Sequence, residues 1–295
     1  MQCRLSLLSL ICVATAAHAQ PARDWAAVDS ALGRKGAAQA AGVMRYGFPR
    51  SDLQVTVNGV RLAPALALGS WLAFRDVGGG SVMAMGDLVL LEAEVGPVMR
   101  ALQAGGVEQT ALHNHVLGES PHVMYMHVSA HGDPVKIART VHDALARTGT
   151  PAASPAPGAP PALDLDTAAL ARTLGVAGKA NGGVYQVSVP RRETIREDGH
   201  EVPPSMGVAT AINFQPTGSG RAAITGDFVL RAAEVNPVIR ALHAAGIEVT
   251  GLHSHMLDEE PRLFFMHFWA NDDAAALARG LRNALDHMAV RTASR

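Results

Sequence analysis

Cysteine is nearly missing from this chain. Two of its 295 residues are cysteine, Cys3 and Cys12, both within the first dozen positions. Everything downstream is therefore without disulfides, thiolate metal sites or a cysteine nucleophile. Aromatics are scarce at 4%, although 48% of the residues are hydrophobic, so the cores are built mainly from Ala, Val and Leu. An excess of one charge sign is lacking too, with 25 Lys plus Arg against 26 Asp plus Glu. That balance leaves no electrostatic footprint for nucleic acid or an anionic lipid surface. No apolar run reaches the roughly 20 residues that a membrane-crossing helix needs. Sequence-specific DNA binding and helical membrane transport are poor readings, and the apolar content excludes a disordered chain.

What is present begins with an export pattern. Arg4 supplies a positive start, Leu5 to Ala17 an apolar stretch, and Ala17-His18-Ala19 a small-x-small cleavage signal. The expectation is a signal peptide over residues 1–19, cleavage near Ala19-Gln20, and a periplasmic or secreted mature protein. A lipoprotein acylated at Cys12 is the alternative, and it ranks lower because Ile11 stands where a small residue is usual.

The rest is a tandem repeat. Gly86-Asp87 recurs as Gly226-Asp227, Glu94 as Glu234 and Pro97 as Pro237, always at an offset of 140. Residues 86–129 and 226–269 are identical at 24 of 44 positions without a gap. Five prolines fall within residues 148–161, a composition with no capacity for a core. The domains are accordingly read as 20–148 and 163–295, joined by a Pro/Ala-rich linker at 149–162 and folding independently. Alternation predicts strands over 53–62, 70–74, 81–91, 110–117 and 123–129. Helices are expected over 25–32, 94–104, 135–147 and 163–174, the second with Pro97 in its first turn. Successive strands with few crossover helices indicate an α+β fold: two homologous domains, each a mainly antiparallel sheet with a few packed helices.

Three histidines per repeat carry the chemistry: His113, His115 and His127, then His253, His255 and His267. They are duplicated while Asn114 becomes Ser254 and His122 becomes Arg262. Two residues apart on a strand, His113 and His115 point to one face. A hairpin whose paired numbers sum to 240 sets His127 opposite His113, and 242 sets it opposite His115. An odd sum would turn it away. Three neutral imidazoles on one face suit a divalent metal, zinc first, in each repeat. Glu119 and Glu259 then serve as fourth ligands or as general bases toward a bound water. The bland alternative is a set of hydrogen-bonded histidines that only stabilise the sheet. Asp87 and Asp227 read as turn or bulge aspartates, and Glu94 and Glu234 as acids at helix N-termini.

The second repeat runs Gly226-Asp227-Phe228-Val229-Leu230, Glu234-Val235-Asn236-Pro237-Val238 and Leu252-His253-Ser254-His255, closing on Phe265-Met266-His267-Phe268-Trp269. It resembles the LppY/LpqO family of exported bacterial proteins, a domain of unknown function, here in two copies. The resemblance implies export and a shared fold, and supplies no activity. Three functions stay open: a metal-binding protein acting as a metal-dependent hydrolase, a non-enzymatic module for a small-molecule or cell-envelope ligand, and a structural envelope protein.

Overall fold

The computed structural model describes residues 23–152 and 163–292. The export segment read at 1–19 and most of the linker lie outside the described residues.

Each repeat is an antiparallel sheet with helices on one face. The first comprises α1 (Ala26–Leu32), β1 (Val43–Pro49), β2 (Gly69–Gly78), β3 (Ser81–Leu91), α2 (Glu92–Gly105), β4 (Glu108–His113), β5 (Val123–Gly132) and α3 (Pro134–Leu145). The second repeats this order as α4 (Thr167–Leu174), β6 (Val184–Pro190), β7 (Ala209–Gly218), β8 (Arg221–Leu230), α5 (Ala232–Ala244), β9 (Glu248–His253), β10 (Phe264–Asp273) and α6 (Ala274–Leu285). A short edge strand precedes each sheet, and the orders are β1-β2-β3-β5-β4 and β6-β7-β8-β10-β9. The fold is α+β, as composition and periodicity indicated. Among the described residues no helix is long and apolar enough to cross a membrane.

Strand parity divides each sheet into two apolar faces. In the first repeat Tyr46, Phe48, Leu72, Phe74, Leu88 and Met126 point toward α1, α2 and α3 and close a core with them. The second repeat builds the equivalent core on Phe214, Phe228 and Phe268. The opposite faces of the two sheets meet each other, so the layers run helices, sheet, sheet, helices. Two further cores lie in that seam. One joins Ala73, Met83 and Met85 to Val229, Met256 and Phe265, and the other joins Val89 and Tyr125 to Ala223 and Trp269. The expectation that each repeat closes its own core therefore holds for only one of its two sheet faces.

Two local readings are corrected. Residues 53–62 are no single strand. Thr56–Val57 and Val60–Arg61 form a tight hairpin turned by Asn58 and Gly59, at φ of 48° and 80°. Asn-Gly is the pair that a two-residue turn with positive φ favours. In addition, α2 starts at Glu92, so Pro97 lies inside the helix and not in its first turn. The helix continues at the loss of one backbone hydrogen bond.

Candidate metal centre

The six histidines gather in the seam between the sheets, and all but His255 fall in a set of converging ligand atoms. His113 ends β4 opposite Tyr125, and His127 lies in β5 opposite Ala111. Beyond a bulge between Gln109 and Ala111, paired numbers thus sum to 238, one even step below 240 and two below 242. Parity is kept, so His113 and His127 share a face, offset diagonally. The cause is the connection: Glu119–Ser120 leaves the sheet to pair with Thr56–Val57, which lengthens the turn between β4 and β5. The second repeat matches, with His253 opposite Phe265 and His267 opposite Gly251. His115 and His255 lie beyond the strand ends, not on them as parity assumed. Aromatic stacking returns them to the face. Ring centroids are 3.3 Å apart for His115 and Tyr125, and 3.5 Å for His255 and Phe265.

The repeats interlock here by reciprocal contacts. The Thr110 hydroxyl donates to the His255 carbonyl at 2.5 Å, and the Thr250 hydroxyl to the His115 carbonyl at 2.6 Å. His113 stacks on its counterpart His253 at 3.6 Å between centroids. His115 packs against His267 at 3.9 Å, and His127 against His255 at 3.7 Å. Two sets bring their ligand atoms within 4.8 Å of one another: His113, His127 and His253, and His113, His115 and His267. Each set takes histidines from both repeats. The expected self-contained site per repeat is replaced by a shared centre, because the histidine face of each sheet is the face that the other sheet covers.

Protonation fits cation binding. Burial first, then the neighbouring imidazoles, holds His113 and His115 far below the ordinary histidine value. Burial likewise holds His127 and His255 well below it and His253 down to about 3. These rings are neutral at pH 7, the state that ligates. His267 Nδ1 donates to the Gly226 carbonyl at 2.8 Å, and its Nε2 faces His113 Nε2 at 3.1 Å. A backbone acceptor fixing one ring nitrogen is the usual way a ligating imidazole is oriented. His127 Nε2 and the Oδ1 atoms of Asp87 and Asp227 are buried without a hydrogen-bond partner. Native interiors rarely leave such atoms unpaired. The converging imidazoles are a donor set that can hold a metal ion.

Asp87 and Asp227 border this centre without joining a converging set among the described residues, although the sequence placed them at turns. They lie in β3 and β8, directly across from His127 and His267. Their Oδ2 atoms stand 3.5 Å from His115 Nε2 and 3.0 Å from His255 Nε2. Burial, with the Asp227 charge, pushes the Asp87 carboxyl up to about 7. The available signal was an acid inside an apolar strand of both repeats. Glu119 and Glu259 instead close the loops. Glu119 accepts the Val123 N–H at 3.4 Å and lies 3.5 Å from His122. Glu259 accepts the Leu263 N–H at 2.8 Å and pairs with Arg262 at 3.2 Å. Neither belongs to a converging set among the described residues.

No curated protein matches the chain. Among solved structures, a trimeric bacterial microcompartment shell protein, PduB, aligns at 14% identity over 85% of this chain and 90% of its own, with a TM-score of 0.20. EtuB from Clostridium kluyveri aligns at 12% identity over 88% and 96%, with a TM-score of 0.21. Scores that low carry no argument. A family model matches twice, over residues 26–147 and 168–287, which span both sheets and all six histidines. The chain thus belongs to the family described as Domain of Unknown Function (DUF1259), in two tandem copies.

Proposed function

We propose that this is an exported metal-binding protein whose divalent ion, zinc by preference, is held between its two repeats. The observation that carries this reading is the pair of converging histidine sets, each completed across the seam. Imidazole nitrogens and carboxylate oxygens are ligands that zinc accepts, and at bond lengths near 2.0–2.1 Å two nitrogens on a tetrahedral ion stand about 3.3 Å apart. The 3.1 Å between His113 Nε2 and His267 Nε2 is close to that spacing. Bound zinc supplies Lewis acidity and activates water. The acids nearest the imidazoles, Asp87 and Asp227, are buried, and Glu119 and Glu259 are committed to loop closure. Metal holding is therefore better supported than hydrolysis. Placement in the periplasm or outside the cell is supported by Ala17-His18-Ala19 and by the likeness to the LppY/LpqO proteins. Mass spectrometry of exported protein should find Gln20 at the N-terminus, and a lipid on Cys12 would overturn that placement.

Metal analysis of untagged protein, purified without chelators, tests the centre. Zinc should co-purify. His113 belongs to both sets, so His113→Ala should empty the protein, whereas separate sites in each repeat would leave half the metal. Metal-free wild-type protein would overturn the reading.

A further inference from the structure

A second feature of the seam is lined by none of the six duplicated histidines. A cavity of about 260 Å³ opens where the second repeat's 196–201 hairpin and 257–258 loop meet β4 and β5 of the first. One water needs only about 10–15 Å³ on such a measure. Its walls carry Glu108, Glu197, Asp198 and Asp258, with His131 as the one basic residue among those lining it. Glu197 is 6% exposed, and its Oε2 has no hydrogen-bond partner. Burial, then the charges of Asp198, Glu259, Asp258 and Glu108, pushes this carboxyl up to about 7. A buried acid among like charges is destabilising unless something cationic answers it.

The internal repeat provides a control. At the offset of 140, Glu197 corresponds to Val57 and Ser129 to Trp269. Val57 and Trp269 are buried in one apolar core, so the equivalent place on the other side is filled. Two exchanges, Trp to Ser and Val to Glu, distinguish an acidic cavity from a packed seam. The converging groups among the described residues are the two histidine sets, and none is formed by these acids. Acids spread this way do not chelate a compact metal ion, but they suit a longer organic cation whose ammonium donates up to three hydrogen bonds.

We propose that this cavity binds a small primary amine, with its ammonium on Glu197 and its chain in the space that Ser129 leaves open. Calorimetric titration of the full chain with putrescine at low salt tests it. One saturable site per chain is expected, with no binding of 1,4-butanediol, which has the same chain without the charges. Glu197→Gln keeps the shape and removes the charge, and should weaken putrescine about tenfold or more. Ser129→Trp should abolish binding by filling the space. If that variant fails to fold, Glu197→Gln decides. Absence of saturation, unchanged affinity in Glu197→Gln, equal binding of butanediol, or displacement of putrescine by equimolar calcium would each overturn the proposal.

Discussion

At the scale of single residues, two buried arginines anchor the fold outside the histidine cluster. Arg50 is fully buried and donates to Asp52, Glu94 and the Val89 carbonyl. Arg191 repeats this with Glu193, Glu234 and the Val229 carbonyl. Glu94 and Glu234 are N-terminal helix acids, as their position indicated, and accept the Leu91 and Arg231 N–H groups. Removing one partner of a buried pair costs about 3–5 kcal/mol. Denaturant melts of Arg191→Ala should show a loss of that order. Burial raises the Glu234 carboxyl, but Arg191 and the Arg231 and Ala289 N–H groups outweigh it and leave a net lowering. Glu193 is lowered as well, with Arg191 prevailing over burial. A depressed folded value means that this stabilisation is complete above the ordinary carboxylate range and fades as pH falls through the folded value. Melting temperature should therefore fall on acidification below about 4.3, and Arg191→Ala should flatten that limb. The histidines were legible because duplication singled them out. Asp87 and Asp227 were not, because an acid after glycine reads as a turn until the strands on both sides are known.

At the scale of elements, Gly86 and Gly226 explain why glycine precedes each of those aspartates. They lie in β3 and β8, where neighbouring backbone comes very close. A Cβ on Gly226 would stand 1.9 Å from the Ala211 carbonyl oxygen, and one on Gly86 would stand 2.6 Å from that of Trp71. Overpacking of this kind typically costs about 1–3 kcal/mol. Gly226→Ala should lower the unfolding midpoint by more than Gly86→Ala, and equal or negligible losses would show that the strands yield. Most of the sheet was legible from alternation, including β3, whose long apolar run reflects burial on both faces. β1 was missed although Met44, Tyr46 and Phe48 alternate toward the helix-side core with Arg45 and Gly47 between them, a run kept short by the glycine and the closing Pro49. The register was readable to parity but not to the residue, since it depends on a loop pairing with a distant hairpin.

At the scale of the molecule, the repeat was plain from the offset of 140, but its consequence was not. Periodicity reports that a strand has two apolar faces and cannot say which is covered by a helix and which by another sheet. A fragment starting at Leu163 would expose Val229, Met256, Phe265 and Trp269 to water. Size-exclusion chromatography should find it aggregated or self-paired, and a stable monomer with a cooperative melt would show that the seam is dispensable. The reciprocal bonds from Thr110 to His255 and from Thr250 to His115 have a thermodynamic corollary. They place the strand end of one half and the imidazoles of the other in a single equilibrium. On the proposed metal reading, severing the chain within residues 153–162 should turn the halves into two partners whose dissociation constant depends on the free ion concentration, a dimer titrated by metal.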